Sequence, residues 1–427
     1  MTPSADIAAS APDAKRSGPP LWPAVAVTLM TSVGFAALKF ILIGELALEY
    51  DPSVHLPFGW LDDLMRRCYG TGNLDEAVSQ GLAAILTLGV LLGYGVNAPL
   101  AGAMRVPTLF VISSLVVAAG TMLSVIYNPV LVAAGVGVAY GASCAARGKA
   151  IPLFTQQGRS ATTVSGFINA ALVIGLLLGT IGGTVLREQL NHGHEHEVGL
   201  RHGIIGVFML ATAALSLAVR PTEGRRTPFS EGLRQLAGGT VTMVGRHWAL
   251  LVAGGLTWGV AQAASLAVYM DGIDRFKISP TLASFVGVFA IAGAILGNLA
   301  SPWLQRRWAV MAGLGALSAC VLLYPFIVTS WPGAAVMMVV VGTLFAAPTN
   351  VLDARFLSLA HEEGLAGRGS TVMSLVHNSF IFCVGTGLAL PLLLGKMAPQ
   401  QQFYALGAVA ALAMAVAGFA RINPGGR

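Results

Sequence analysis

Long apolar runs, separated by short polar or glycine- and proline-containing segments, dominate the pattern of this chain. A helix that crosses the hydrocarbon core of a membrane needs about 20 mainly apolar residues. The pattern predicts twelve such spans, at 23–48, 78–102, 106–127, 129–148, 161–186, 202–219, 248–270, 281–303, 308–329, 331–352, 370–394 and 402–421. We therefore expect an all-α membrane protein with twelve transmembrane helices.

Composition supports the membrane assignment. Of the 427 residues, 55% are hydrophobic and 10% charged, and the mean hydropathy is +0.73. Soluble domains carry about 25% charged residues, so this chain has too few charges to cover a water-facing surface. The four cysteines are far apart in the sequence and indicate neither a disulfide framework nor a zinc site.

The distribution of lysine and arginine predicts the orientation. With the N-terminus inside, the inner loops and termini hold 17 of these residues, the outer loops hold 7, and Lys39 lies within a span. Cytoplasmic loops are enriched in lysine and arginine, so both termini are predicted to be cytoplasmic. The net charge of +6 is explained in the same way and does not indicate a nucleic-acid partner. We expect a monomeric, multi-pass protein in the lipid bilayer of the bacterial inner membrane or of a membrane derived from it.

The most basic connection, RPTEGRRTPFSEGLRQLAGGTVTMVGRHW (Arg220–Trp248), divides the spans into two sets of six. Secondary transporters are often built from two related halves around a central site. The sequence therefore predicts a disordered cytoplasmic tail at 1–21, an N-terminal half at 22–220, a cytoplasmic linker at 221–247 and a C-terminal half at 248–427. In the long first outer loop, the segment at 59–77 is expected to form a structured cap.

Several segments resemble the major facilitator superfamily and, within it, the bacterial lysophospholipid transporters. They are GFINAALVIGLLLGTIGGTVL (Gly166–Leu186), TSVGFAALKF (Thr31–Phe40), GTLFAAPTNVLDARF (Gly342–Phe356) and LVHN (Leu375–Asn378). The resemblance implies two pseudo-symmetric six-helix halves that alternate in access to a central site. It also implies that the small residues of the fifth span let helices at the interface between the halves approach closely.

The chain departs from the pattern of those families at three places. The segment NAPLAGAMRVPT, between spans two and three, keeps Gly102 and Arg105 but lacks the usual acidic residue. Phe35 and Ala36 stand where lysophospholipid transporters have an acid and an amide, and Ser265 stands near the place of a basic residue. These differences argue against transferring the lipid substrate directly.

Lys39 is the leading candidate for substrate binding. A charged side chain at the centre of the membrane costs about 2.5–3.5 kcal/mol on insertion scales and usually faces a wet cavity. Lys39 lies roughly 13 Å from the outer end of its span, too deep to reach the headgroups comfortably. We expect it to meet an anionic group of the substrate, and a bond to backbone carbonyls remains the alternative.

Other polar side chains within the spans are candidates for substrate binding or coupling: Asn169, Gln262, Asn350, His377 and Asn378. Histidine titrates near neutral pH, so His377 is suited to a protonation step. For His377 and Asn169, a hydrogen bond to a neighbouring helix is the structural alternative.

A second group of charged residues is placed near the ends of the spans, where gates form: Glu45, Arg105, Arg147, Lys149, Asp353 and Arg355. Glu45 follows Lys39 by six residues and lies on another face, so we expect it to meet an outer cation such as Arg66, Arg67 or Arg275. Arg147 and Lys149 are predicted either to attract an anion into the inner vestibule or, more simply, to anchor the inner end of span four.

The sequence also predicts an inner gate pair and contains a candidate metal-binding loop. Asp353 and Arg355 are predicted to form an inner gate pair. The loop NHGHEHEVGLRH (Asn191–His202) contains His192, His194 and His196 with two glutamates, and imidazole with carboxylate can bind transition metals. A solvated polar loop is the simpler interpretation of this segment.

The sequence has neither a phosphate-binding loop nor a nucleophile–histidine–acid set, and we expect neither an enzyme nor a cofactor. The predicted function is secondary transport of a small or amphiphilic, anionic or zwitterionic solute such as a lysophospholipid, with H⁺ or Na⁺ as a coupling ion. The alternatives are an iron permease of the magnetosome-membrane type and a non-transporting sensor or assembly protein with the same fold.

Overall fold

The fold is all-helical over the part of the chain that the computed structural model describes. These residues are 19–49, 85–86, 88–94, 100, 103–123, 129–155, 161–190, 195–221, 228–279, 282–283, 285–363, 366–393, 397–420 and 422. The helices are α1 (Trp22–Glu49), α2 (88–94), α3 (Val106–Leu123), α4 (Pro129–Thr155), α5 (Ala161–Gln189), α6 (Glu195–Ser216), α7 (Phe229–Asp274), α8 (Val286–Ala300), α9 (Arg307–Ile327), α10 (Trp331–Glu362), α11 (Ala366–Leu393) and α12 (Pro399–Ala417). A 3₁₀ turn (Ser301–Leu304) follows α8.

Each helix coincides with one predicted span. By length and composition, 6 of the described helices can cross a membrane, and three shorter ones are also apolar. Many large apolar side chains point outward, including Leu131, Val207 and Phe419, as expected for a surface that faces lipid. The all-helical membrane class is therefore confirmed, whereas the count of twelve spans and the side of the termini remain predictions.

Exposed tryptophans mark helix ends on one side of the molecule. Trp22 begins α1, Trp303 and Trp308 flank the α8–α9 connection, and Trp248 lies at the predicted inner end of span seven. Tryptophan is enriched where a membrane meets water, because its ring is apolar and its N–H needs a partner. All four positions fall on the side that the lysine and arginine distribution predicts to be cytoplasmic.

The packing of the first six helices recurs in the last six. In the first set α1 packs on α5 and α3 on α6, and in the second set α7 packs on α11 and α9 on α12. Glycines bring α2 close to α4 and α8 close to α10. A Cβ at Gly93 would lie 2.5 Å from the Val138 carbonyl, and one at Gly297 would lie 2.5 Å from the Thr343 carbonyl. This repeat supports two related halves, although their exact boundaries remain predictions.

The close approach of α5 is to a helix of its own half. A Cβ at Gly175 would lie 2.7 Å from the Cβ of Ser32, and one at Gly179 would lie 2.8 Å from the Cβ of Ala36. The expectation that these glycines serve the interface between the halves was therefore wrong for Gly175 and Gly179. Their spacing of four residues places both on the face that contacts α1.

Two boundaries differ from the predicted ones. Helix α6 begins at Glu195 rather than after His202, so Arg201 and His202 are buried within it. Helix α7 begins at Phe229, so most of the predicted linker is helical, and it is joined to the membrane-spanning part by a kink at His247 (φ −119°, ψ 21°). The outer-loop cap at 59–77 and residues 1–18 lie outside the described residues.

The kink is tied to the far end of α10. His247 Nε2 lies 3.0 Å from Glu363 Oε1, and Arg246 approaches the same oxygen at 3.5 Å. The hydrogen bond from His247 holds the pKa of Glu363 below its ordinary value, with a further contribution from Arg246. A lowered carboxyl pKa means that this contact is fully formed above the ordinary glutamate range and is lost as the pH falls through the pKa of the folded state.

The glycine contact predicts opposite effects for two alanine substitutions on α5. Among the described residues, no atom lies within 4 Å of the place where a Cβ of residue 182 would stand, whereas Gly179 faces the backbone of α1. Glycine to alanine favours a helix by about 1 kcal/mol where there is room, and overpacking costs about 1–3 kcal/mol. We expect Gly182→Ala to raise the thermal unfolding temperature of the detergent-purified protein and Gly179→Ala to lower it. Equal shifts would contradict the packing.

The contact at the kink predicts that Glu363→Gln loosens the helical linker. Loss of the carboxylate removes the ion pair with Arg246 and weakens the hydrogen bond to His247, so backbone amides at 229–246 should exchange hydrogen faster near neutral pH. The effect should be small, because the contact is exposed to solvent. Glu362→Gln is the matched control, and exchange that responds equally to both substitutions would contradict the assignment.

Candidate functional site

An aromatic stack lies between α1 and α4. The rings of Phe35 and Tyr140 have centroids 3.9 Å apart and an interplanar angle of 15°. Both side chains are buried. The stack occupies the place where the lysophospholipid transporters have polar residues on span one. It gives the interior of this chain a flat apolar surface at that level.

Arg147 lies on the same face of α4 as Tyr140. Residues 140, 144 and 147 follow the i, i+4, i+7 spacing, so Tyr140, Cys144 and Arg147 form one stripe. The Arg147 guanidinium carbon lies 5.7 Å from the centroid of the Tyr140 ring, and Arg147 Nη2 donates to Cys144 Sγ. The side chain is only 7% exposed. Burial at this depth does not fit the anchoring role that the sequence favoured.

Among the described residues, the guanidinium has no counter-anion. Its Nε is buried and has no hydrogen-bond partner among the described residues. Of the acidic side chains in the described part of the chain, none forms an ion pair with Arg147. A thiol and an aromatic ring stabilise a cation only partly, because neither supplies a full negative charge.

Helices α2 and α11 close the site from two other sides. The hydroxyl of Tyr94 on α2 is placed to hydrogen-bond with Cys144 and with Ser374 on α11. The neighbouring Leu375 packs against the hydrophobic core of the N-terminal half. We call Phe35, Tyr94, Tyr140, Cys144 and Arg147 the Arg147 cluster. It lies where the two halves meet.

Lys39 lies on the opposite side of the stack from Arg147. It follows Phe35 by four residues, which places it on the same face of α1 one turn nearer the predicted outer side. Its side chain is half-buried. Arg147 lies two turns of α4, or about 10 Å, from Tyr140 toward the predicted inner side. Two cations therefore flank an aromatic stack along the interior.

A second polar pair, formed by the buried His377 and the half-buried Asp353, belongs to the C-terminal half. His377 Nε2 on α11 lies 3.6 Å from Asp353 Oδ1 on α10. His377 is 5% exposed, and its Nε2 has no hydrogen-bond partner in the described part of the chain. Gly254 of α7 covers the pair: a Cβ there would lie 2.7 Å from that nitrogen and 3.4 Å from the Asp353 oxygen.

The remaining polar candidates take part in contacts within or between helices. Asn350 donates its amide N–H to Asn298 on α8, and Asn378 donates to the Ser374 carbonyl at 2.8 Å. Gln262 is exposed on α7, and Asn169 is half-buried on α5. Asn350 therefore bonds a neighbouring helix, whereas the bond of Asn378 lies within α11.

The predicted gate contacts differ in their partners. Asp353 faces His377, whereas Arg355 lies 3.8 Å from Glu362, so the two do not form the predicted pair. Lys149 donates to the Met104 carbonyl at 2.6 Å and holds the α2–α3 connection, on which Arg105 is exposed.

Of the three outer cations predicted as partners for Glu45, Arg275 is already engaged. Arg275 lies 2.6 Å from Asp271 and donates to the Pro325 carbonyl at 3.2 Å. The Tyr324 hydroxyl lies 3.2 Å from the same Asp271 carboxylate. The side chain of Glu45, together with Arg66 and Arg67, lies outside the described residues.

The metal interpretation gains no support from the described residues. No group of three or more histidine, cysteine, aspartate or glutamate side chains among them could hold a metal ion. His192 and His194 lie outside the described residues, and His196 falls in the first turn of α6. The alternation of the three histidines therefore does not continue as an extended strand at His196, and the metal site stays a prediction.

Comparison with known proteins finds a similar fold but no similar sequence. No protein-family model and no curated protein matches the sequence. The crystal structure of the human organic anion transporter MFSD10 (TETRAN) superimposes with a TM-score of 0.61 at 16% sequence identity, covering 93% of this chain and 100% of that one. This similarity shows that the chain has the expected fold.

The position of Cys144 allows ligand occupancy to be measured. In a variant that keeps Cys144 and replaces the other three cysteines with serine, a negatively charged ligand beside Arg147 should slow thiol modification by a small methanethiosulfonate. The exposed Cys383, kept alone in a matched variant, should react at a rate that the ligand does not change. Equal protection of both thiols would indicate that the ligand acts elsewhere.

Proposed function

We propose that this chain is a secondary transporter that moves an amphiphilic organic anion or zwitterion by alternating access. The single observation that carries the proposal is the buried Arg147 guanidinium, whose Nε has no partner among the described residues and which no described carboxylate neutralises. An uncompensated buried charge is expensive, so a site of this kind is completed by an anion that enters it.

The composition of the cluster indicates the chemical class of the substrate. Arginine presents a planar fork that binds carboxylate, sulfate or phosphate through two parallel hydrogen bonds. The Phe35–Tyr140 stack offers apolar surface beside that fork. An acidic headgroup attached to an apolar body satisfies both features, and a lysophospholipid is one member of this class. The organic anions named for the human structural neighbour belong to the same class.

The arrangement of helices supports alternating access. The cluster draws side chains from α1, α2 and α4 and is closed by α11 of the other half. Lys39 lies on the outer side of the stack and Arg147 on the inner side, so an anion has a cationic partner on either side of the stack. Relative movement of the two halves would then change which side is open.

The proposal predicts that Arg147→Gln abolishes transport. In proteoliposomes that contain the full chain, tritiated estrone sulfate should enter through the wild-type protein, and Arg147→Gln should reduce the initial rate roughly a hundredfold, as expected for loss of about 3 kcal/mol of charge-assisted binding. Arg147→Lys should be intermediate because it keeps the charge but loses the fork. Arg306→Gln, at an exposed arginine, is the matched control.

Further substrates separate the rival functions. Lysophosphatidylethanolamine, followed by extraction with albumin, tests the lipid prediction, and radioactive Fe²⁺ tests the iron permease. Uptake of Fe²⁺ without uptake of estrone sulfate or of the lysolipid would overturn the proposal in favour of the iron permease. A folded protein that moves none of the three compounds would favour a sensor or assembly role.

A further inference from the structure

The pair formed by Asp353 and His377 is a site that anion binding at Arg147 does not use. It lies in the other half of the molecule, between α10 and α11, under Gly254 of α7. The 3.6 Å separation of His377 Nε2 and Asp353 Oδ1 is too long for a hydrogen bond. The two groups therefore interact electrostatically but do not form a hydrogen bond with each other. Within the described part of the chain, the buried imidazole nitrogen is free to take part in one more bond.

The charge of the pair decides whether it can be buried. A carboxylate beside a neutral imidazole carries one net negative charge, which a low-dielectric interior disfavours strongly. One added proton makes the pair neutral overall, either as carboxylic acid with imidazole or as carboxylate with imidazolium. A site of this composition takes up one proton when it is closed and can release it when water reaches it.

Other charged groups among the described residues do not neutralise this pair. On α10, Arg355 faces Glu362, and on α7, Arg246 and His247 face Glu363, two turns from Gly254. On α4, Arg147 faces Tyr140 and Cys144, beyond the turn of α11 that holds Ser374. Each of these cations has a partner or a position of its own. Among the described groups, His377 and an added proton are therefore the ones placed to neutralise Asp353.

One helix connects the proton site to the anion site. Ser374, which faces Tyr94 of the Arg147 cluster, and His377 are three residues apart on α11 and lie on neighbouring positions of one face. The Asn378 amide donates to the Ser374 carbonyl at 2.8 Å and adds a side-chain bond to the same turn. A movement of this turn away from the N-terminal half therefore affects both sites together.

We propose that Asp353 and His377 bind the proton that is carried together with the anionic substrate, one proton per monovalent anion. The inference rests on the proposed transport function and adds its coupling ion. In the loaded state the anion neutralises Arg147 and the proton neutralises the Asp353–His377 pair, so both buried sites are compensated when the halves close. The transported set, one anion and one proton, carries no net charge.

The test uses proteoliposomes with the full chain and tritiated estrone sulfate. With the interior one pH unit more alkaline than the medium, wild-type protein should accumulate the anion about tenfold at equilibrium, because a pH unit is a tenfold proton ratio. A pH dye inside the vesicles should report acidification with a stoichiometry of one proton per anion. A potassium diffusion potential set with valinomycin should not change the accumulation.

Two substitutions test whether the proton binds at this pair. Asp353→Asn should lose accumulation driven by the pH difference but retain exchange of labelled for unlabelled anion at equal pH, and His377→Gln should reduce the proton stoichiometry. Asp274→Asn, at an exposed aspartate at the end of α7, is the control and should behave as wild type. Unfolding temperatures establish that each variant is folded.

The outcomes separate this inference from the proposed function. Wild-type exchange without any dependence on the pH difference would overturn the proton site and leave anion transport standing. Asp353→Asn that accumulates anion as fully as Asp274→Asn would also overturn it. Absence of both exchange and accumulation in wild type would overturn the transport function itself.

Discussion

The central physical constraint in this structure is a cation that is buried without an anion among the described residues. The Arg147 guanidinium is enclosed by α1, α2, α4 and α11, and its described neighbours are rings, a thiol and hydroxyl groups. Burial of such a charge without a counter-ion is expensive. Under the proposed function, an anionic substrate lowers the cost of closing the two halves, so binding and closure are linked by one electrostatic requirement.

Because the helices are closely packed, a local rearrangement does not remove the need to neutralise Arg147. Glycines seat α5 on α1 and α4 on α2, with backbone in direct contact, and the equivalent contacts recur between α8 and α10. Van der Waals packing of small residues is the main source of helix association in lipid, so these pairs behave as rigid units. Closely packed units change their arrangement as bodies, and this favours movement of one half against the other over a small shift of a single helix.

The fold was predictable from the sequence because it depends on apolar length and on charge. Each run of about 20 apolar residues had to become a helix in order to satisfy its backbone, and the structure places a helix on each predicted run. The predicted start of α6 was wrong because Arg201 and His202 resemble loop residues. Their side chains are only 4% and 2% exposed, so they lie within the bundle. Composition does not reveal whether a polar residue at a span's edge faces water or protein.

The candidate site was only partly predictable, because it depends on contacts between helices distant in sequence. Lys39 and His377 stood out as ionisable groups within apolar runs. The partners did not: Asp353 looked paired with Arg355, two residues away, but on a helix such neighbours point in different directions. The Tyr140–Cys144–Arg147 stripe was a readable signal, since its spacing follows one helical face. Phe35 was seen as a missing acid, whereas the structure makes it half of an aromatic stack.

The separation of the two polar sites explains why one helix must join them. The proposed anion site belongs mainly to the N-terminal half and the proposed proton site to the C-terminal half. Helix α11 contributes Ser374 to the first and His377 to the second, one turn apart. If α11 separates from α4, the same movement exposes Arg147 and the His377 imidazole to water. Once exposed, neither group needs to be neutralised. Under the proposed coupling, this shared element would release the anion and the proton on the same side of the membrane, without a direct contact between the two ions.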